Sequence, residues 1–231
     1  MNFENKLISG RFIKRYKRFL VDVKIGGKII TAHCPNTGSM YGLLKKNNKV
    51  WLTKSNNPNR KLKYTLQIIQ DKNSKVGVNT HLANKIVLEA LQNNQIKEFN
   101  RKIEIKPETK FGPNTRFDFL ITKNNFKAFV EVKNVTLSRK KSIAEFPDAV
   151  TSRGLKHIKE LIKAKKKGYK IYILYLIQRN DCKYFKIAED IDPEYSDSLS
   201  KAVKKKLNIL CFDCIFSSKG IKLNKKVKFK I

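Results

Sequence analysis

The hydrophobic period of the chain changes once, near residue 80. Before that point apolar residues come in short runs separated by turn residues. Arg11 to Val23 interleaves basic with apolar positions, Gly26-Gly27 is a hairpin signal, and Ile29 to Cys34 returns. Val50 to Thr53 and Leu62 to Ile69 add further strands. About five strands in roughly 75 residues suit a small barrel of the OB type. Beyond residue 80 the period lengthens. Asn84 is placed to cap a helix whose apolar stripe is Ile86, Val87, Ala90 and Leu91. Ile103 to Lys106 is a strand leading into a hairpin. A helix over Val150 to Lys167 turns Leu155, Ile158, Leu161 and Ile162 inward and stops at Gly168. Within Lys170 to Gln178 the run Ile171 to Ile177 is continuously apolar, as a buried parallel strand is. Asp192-Pro193 opens another helix, Asn208 to Phe212 is a last core strand, and the segment from Lys219 is a final β segment. The pattern divides the chain into a small β domain, residues 1–80, and an α/β domain, residues 81–231.

The hairpin is the stretch with chemistry in it. It runs from Arg116 to Lys133 around Lys123-Asn124-Asn125. A two-residue turn at Asn124-Asn125 sets Asp118 opposite Glu131 and Arg116 opposite Lys133. Strand alternation then puts Arg116, Asp118, Glu131 and Lys133 on one face, and Phe117, Phe119, Ala128, Val130 and Val132 on the other. Like charges directly opposite destabilise a sheet, and a buried charge needs a partner. A divalent cation is one partner, because Mg²⁺ takes one or two carboxylates together with water and phosphate oxygens. The other reading is an exposed cluster in which Arg116 and Lys133 neutralise the two acids.

Asp118 followed by Glu131-Val-Lys133 resembles the PD-(D/E)xK nuclease signature. Longer segments resemble the sugar fermentation stimulation protein family of prokaryotes along nearly the whole chain. These are Gly10 to Leu20, His33-Cys-Pro-Asn-Thr-Gly-Ser-Met40, Asn57 to Tyr64, Val76 to Thr80, Val130 to Leu137 and Phe146 to His157. The resemblance implies an N-terminal OB-like β-barrel followed by a restriction-endonuclease-like α/β domain with a mixed central sheet. It also implies DNA binding, sometimes in the regulation of sugar-metabolism genes. Asp118 and Glu131, with the carbonyl of Val132, are then the candidate ligands of Mg²⁺ or Mn²⁺, and Lys133 stabilises developing charge. Nuclease-superfamily members often place a helical Glu near the metal, which makes Glu89 a candidate third carboxylate; the alternative is a solvated helix charge. Arg153, His157 and Glu160 share one helix face. His157 is either a proton shuttle or a structural histidine. Gln178 leaves a strand at its carboxyl end, where α/β proteins place their sites.

Charge widens the picture. Lys and Arg number 51 against 19 acids, a formal charge of +32, which calls for a polyanionic partner. A lysine-rich codon bias explains part of that excess but not the scarcity of acids. The candidate contacts are Arg11, Lys14, Arg15, Tyr16, Lys17 and Arg18, then Ser39, then Arg60, Lys61 and Lys63, then Arg116, Arg139 and Arg153. Basic side chains track a phosphate backbone and aromatics stack on bases. Phe12 and Phe19 are expected in the barrel core, while Tyr16, Trp51 and Tyr64 fit either role. The Thr37-Gly38-Ser39 run offers amides and hydroxyls to a phosphate, or is a loop packed on the barrel. Residues 134 to 144, with Arg139, Lys140 and Lys141, are expected as an exposed basic loop.

No apolar run reaches the roughly 20 residues of a membrane span, and no secretory h-region is visible, so a cytoplasmic protein is expected. Cys34, Cys182, Cys211 and Cys214 read as buried thiols. Three functional readings follow. The first is a metal-dependent DNA nuclease, and the second a DNA-binding protein on a nuclease fold without turnover. The third, weaker, is directed at RNA. The oligomeric state is open, and a homodimer is compatible with the sequence.

Overall fold

The computed structural model describes residues 1–99 and 102–230. The first half supplies six strands: β1 (Ile8–Tyr16), β2 (Leu20–Ile25), β3 (Lys28–His33), β4 (Lys49–Lys54), β5 (Tyr64–Asp71) and β6 (Ser74–Gly77). Gly26 and Gly27 have φ of 52° and 83°, the left-handed pair that a tight hairpin with correctly twisted strands requires. The strand order β3-β2-β1-β4-β5, with a parallel pairing of His33 to Thr65, closes a five-stranded OB barrel, and β6 extends β5. Phe12, Val21, Val23, Val50, Leu52, Leu66 and Ile69 fill its interior. Phe19 does not. It is 46% exposed, because Lys17 and Arg18 before it take left-handed conformations and turn it outward.

The second half is α1 (Leu82–Gln92), β7 (Glu104–Phe111), β8 (Thr115–Lys123), β9 (Phe126–Val135), β10 (Ile143–Phe146), α2 (Ser152–Lys166), β11 (Lys170–Ile177), β12 (Tyr184–Ile187), α3 (Pro193–Lys204), β13 (Asn208–Phe216), β14 (Ile221–Lys226) and β15 (Lys228–Phe229). The central sheet is mixed, in the order β14-β13-β11-β9-β8-β7, with β9, β11 and β13 parallel to one another. The helix stripes decide which face each helix covers. Ile86, Val87, Ala90 and Leu91 of α1 pack on the face bearing Phe119, Ile121, Val130 and Val132. Ile158 and Leu161 of α2 and Leu199 of α3 pack on the face bearing Phe129, Ile171 and Ile173. α3 starts as its sequence requires: Pro193 takes the first position and the Asp192 carboxylate accepts the Tyr195 N–H. α1 does not start at the expected cap. Asn84 lies inside its first turn, and His81 holds the cap position without a side-chain cap bond.

The two halves are stitched at the end of β11. The Gly77 N–H donates to the Gln178 carbonyl (2.8 Å), and the Gln178 N–H donates to that of Val135 (2.9 Å). Arg179, 2% exposed, donates to Asp71 of the barrel, to both oxygens of Asp181 and to the Thr136 carbonyl. A buried guanidinium is tolerated because carboxylates and a carbonyl meet it in this way. All four cysteines are buried thiols. Among the described residues no helix is long and apolar enough to cross a membrane.

Candidate metal and nucleic-acid site

The Asn124-Asn125 turn forms with Asn124 left-handed, and β8 pairs with β9 in the register that turn dictates, from Lys123–Phe126 to Phe119–Val130. The ladder ends there. Asp118 takes it over with its side chain: Oδ2 accepts the Val132 N–H at 2.7 Å. Oδ1 accepts from the Asn84 amide at 2.7 Å, which ties the carboxylate to the first turn of α1. Across on β7, Glu108 is left-handed (φ 51°). The departure from regular β geometry alters three expectations. The ladder stops one residue short of pairing Asp118 with Glu131, and Asp118 bonds the Val132 N–H instead. Phe117 packs with Phe111 and Phe129 on the α2 face, not with Phe119 on the α1 face. Arg116 pairs across to Lys110 of β7 and its side chain meets Glu108 at 3.4 Å, so it is not set against Lys133.

Glu131 lies next to Val132 on β9 and is 3% exposed. Its Oε1 receives Lys133 Nζ at 2.8 Å and also meets His157 Nδ1, with Lys133 and His157 3.4 Å apart. α2 delivers His157 because the histidine sits beside Ile158 and Leu161 on the buried side of the helix. Glu131 Oε2 is buried and has no donor. The two carboxylates titrate in opposite directions. Burial first, and the Glu131 charge second, push Asp118 up to about 6 against the pull of the Val132 N–H and Asn84. Burial also raises Glu131, but the Lys133 ammonium and His157 outweigh it and hold that carboxyl below its ordinary value. A carboxylate kept ionised beside one poised near neutrality is an arrangement suited to a cation or to proton transfer.

Other expected members lie elsewhere. The Glu89 carboxylate pairs with the Met1 ammonium at 2.5 Å. Five residues past Asn84, it points away from the face that meets Asp118. Glu160 pairs with Lys163 at 2.7 Å. Gln178 is fully buried in the seam between the halves, donating to Asn134 (2.5 Å) and to the Asn79 carbonyl (3.3 Å), and its oxygen packs against Gly77. Among the described residues no group of three or more His, Cys, Asp or Glu side chains converges on one point. The groups that could hold a cation here are thus the two carboxylates, with the backbone carbonyl of Val132 beside Glu131 in sequence.

The basic candidates divide. Arg15, half-buried, gives its guanidinium to the carbonyls of Arg18, Asn36, Gly38 and Ser39, so it holds the Thr37-Gly38-Ser39 loop. Ser39 faces an acid: its hydroxyl and the Met40 N–H lie within 3.5 Å of Asp148 Oδ2, which repels a phosphate. Arg139, Lys140 and Lys141 are exposed as expected, but Glu145 and Asp190 bind Arg139 and anchor the segment after β9. Arg60 donates to Thr65 (2.7 Å), Lys63 to the Pro58 carbonyl (2.5 Å), and Arg11 to the Asn47 carbonyl (3.2 Å). Lys14 lies 3.8 Å from Asp22 and over the ring of Tyr16, whose hydroxyl bonds Asp22. Lys17, Arg18, Lys61 and Arg153 are exposed. Trp51 is half-buried beneath Lys49 and Lys75, and Tyr64 packs against the barrel core.

Asn84 is the site residue whose role the pattern of the chain hides. Its position near the start of a helix reads as a cap, and only the fold shows that the amide is spent on Asp118. Asp148 is hidden likewise, since its contact with Gly38 is made over more than a hundred residues of chain.

Comparison with known proteins supplies a frame for this geometry. A family model described as the SfsA N-terminal OB domain matches residues 13–78, and one described as the sugar fermentation stimulation protein RE domain matches residues 81–220. A sugar fermentation stimulation protein homolog of Pelagibacter ubique is 57% identical over 228 residues, covering 99% of this chain and 98% of that protein. A homolog of the same description in Bartonella henselae is 42% identical over 232 residues, covering 100% and 99%. The solved structure of Pyrococcus furiosus SfsA in complex with Ca²⁺ superposes with a TM-score of 0.89 at 26% identity, covering 100% of this chain and 98% of that one.

Proposed function

The chain belongs to the sugar fermentation stimulation protein family, and from that premise we propose that it binds DNA and hydrolyses phosphodiester bonds with Mg²⁺ or Mn²⁺. One observation carries the reading: Glu131 Oε2 is a buried carboxylate oxygen that no donor reaches, beside a second carboxylate already strained by its charge. An orphaned buried oxygen is costly, and a cation is the partner that relieves it. The chemistry of the donors fits a hard cation, and the relative from Pyrococcus furiosus is a Ca²⁺ complex.

Asp118, Glu131 and the Val132 carbonyl would hold the cation. When bound it supplies Lewis-acid polarisation of a phosphate and a nucleophile at neutral pH. The protein's own groups do the positioning. Asn84 and the Val132 N–H fix the Asp118 carboxylate, each through one oxygen. Lys133 Nζ, held at 2.8 Å by Glu131, would offer its ammonium to phosphate oxygens that gain negative charge. His157 locks Glu131 from the α2 side. The excess of basic residues brings the polyanion to the protein.

A second reading is DNA binding without turnover. The pair lacks a third carboxylate among the described residues, and Lys133 and His157 both occupy Oε1 of Glu131. Cleavage assays on single-stranded and duplex DNA with Mg²⁺, Mn²⁺ or EDTA, run beside Glu131→Gln, decide between the two. Metal-dependent cutting that disappears in the variant establishes hydrolysis. Salt-sensitive binding by both proteins with no cutting establishes the binding module, and an RNA competitor in the same assay measures preference between the nucleic acids.

A further inference from the structure

Between the barrel and α1 lies a cavity of ≈ 340 Å³ that neither carboxylate of the pair lines. Four side chains that carry or can take positive charge border it: His33 at the end of β3, Arg60 before β5, His81 before α1, and Lys85 in the first turn of α1. The carboxylate among its described lining residues is Glu4, which is exposed. The wall is polar and built. Asn79 donates to Gln67 (2.8 Å), Gln67 to Thr53 (2.8 Å) and Arg60 Nη2 to Thr65 (2.7 Å), with Thr65, Gln67 and Asn79 all buried. Arg60 is thereby fixed through one nitrogen, which leaves most of its donors for the cavity. Burial first, then the nearby Arg60 and His81, hold the pKa of His33 below its ordinary value. α1 adds the positive end of its dipole without an acidic residue in its first turn.

We propose that this cavity binds the terminal phosphate of a nucleic-acid strand. A terminal phosphomonoester is a dianion with three free oxygens, and it matches several convergent cationic donors better than a bridging phosphodiester does. Lys85 borders the cavity and the adjacent residue, Asn84, holds Asp118, so the cavity and the Asp118 carboxylate meet at the first turn of α1. The proposal rests on the nucleic-acid reading above, and does not require hydrolysis.

The test is fluorescence anisotropy with the full chain in EDTA, where nothing is cut. Oligonucleotides of one sequence carry a 5′-phosphate, a 3′-phosphate or hydroxyls at both ends. One phosphorylated end is expected to bind about tenfold tighter than the hydroxyl-ended strand, the yield of one or two charge-assisted hydrogen bonds. The ratio falls toward one in His33→Gln and in Arg60→Gln, each read against its own hydroxyl-ended strand, so that general loss of affinity cancels. Equal affinity for all ends overturns the proposal, as does a preference that survives both variants. Inorganic phosphate that raises the melting temperature while the oligonucleotide ends are not distinguished assigns the cavity to a free phosphate and also overturns it. Failure to bind any oligonucleotide instead overturns the nucleic-acid reading beneath it.

Discussion

The side-chain amide of Asn84 donates to Asp118 Oδ1 at 2.7 Å, joining the first turn of α1 to the point where the β8–β9 ladder ends. That bond favours the charged carboxylate, in opposition to the burial and the Glu131 charge that raise the Asp118 pKa to about 6. Asn84→Ala removes it without harming the helix, since alanine is the better helix former. The Asp118 pKa is expected to rise further. If an ionised Asp118 is needed for the cation, the acid limb of the cleavage profile moves to higher pH. Activity near pH 6 falls about tenfold, the worth of a hydrogen bond to a charged group. Rates at saturating Mg²⁺ across pH 5 to 9 check this, and an unmoved acid limb separates Asp118 from the cation.

Asp118→Asn gives a stability prediction with a defined sign. A carboxyl whose folded pKa lies above its unfolded value favours folding when protonated. That contribution is present below the ordinary carboxylate value and is lost as pH rises through about 6. At pH 8 the wild-type chain therefore carries an ionised, half-buried Asp118 at a cost, and the neutral amide removes it. The variant is expected to be more stable by about 2 kcal/mol at pH 8, with the gain vanishing near pH 4. Urea midpoints at the two pH values measure it. Destabilisation at pH 8 would mean that the Val132 N–H and Asn84 bonds matter more than the buried charge.

The sequence makes the architecture legible to the extent that local rules govern it. Gly26-Gly27, Asn124-Asn125, Asp192-Pro193 and Gly168 each perform the backbone task their residue type suggests, and the elements follow from them. The Asp118 hairpin is legible for the same reason: a two-residue turn fixes its register. What local rules do not reach is where a side chain spends its hydrogen bonds once distant segments meet. Asn84 caps nothing and holds Asp118. Arg15 and Arg139 look like free cations in the sequence but answer carbonyls and acids brought to them by the fold. Phe117 and Phe119 share a face by alternation and part company where Asp118 replaces the ladder.

In the proposed site Lys133 and a bound cation would both neutralise Glu131, which leads to a third expectation. Lys133→Met keeps the aliphatic stem and removes the ammonium 2.8 Å from Glu131 Oε1. A buried carboxylate deprived of its partner costs about 3 kcal/mol. The depressed Glu131 pKa means that its stabilisation is present above the ordinary carboxylate value and lost as pH falls through the lower folded one. The penalty should thus appear at pH 7 in EDTA and fade under acid. Saturating Mg²⁺ or Ca²⁺ should restore part of it, because a ligand bound only by the folded chain stabilises that chain. Thermal melts with and without the cation give the answer, and an identical loss in both places the cation elsewhere.

The last expectation concerns which cations would meet DNA in the proposed function. Lys17 and Arg18 sit at the tip of the β1–β2 turn, both exposed and both left-handed, so their side chains project beyond the barrel. Arg139, by contrast, is held by Glu145 and Asp190. A cation that touches a phosphate releases counterions when it binds, and each such contact adds about 0.9 to the slope of log affinity against log salt on duplex DNA. Lys17→Ala with Arg18→Ala should lower affinity at low salt and reduce the slope by roughly 1 to 2. Arg139→Ala should lower the melting temperature and leave the slope alone, since its charge is already answered within the chain. Titrations between 50 and 300 mM salt distinguish the two behaviours. A reduced slope in Arg139→Ala with none in the turn variant would move the DNA path from the barrel tip to the segment after β9.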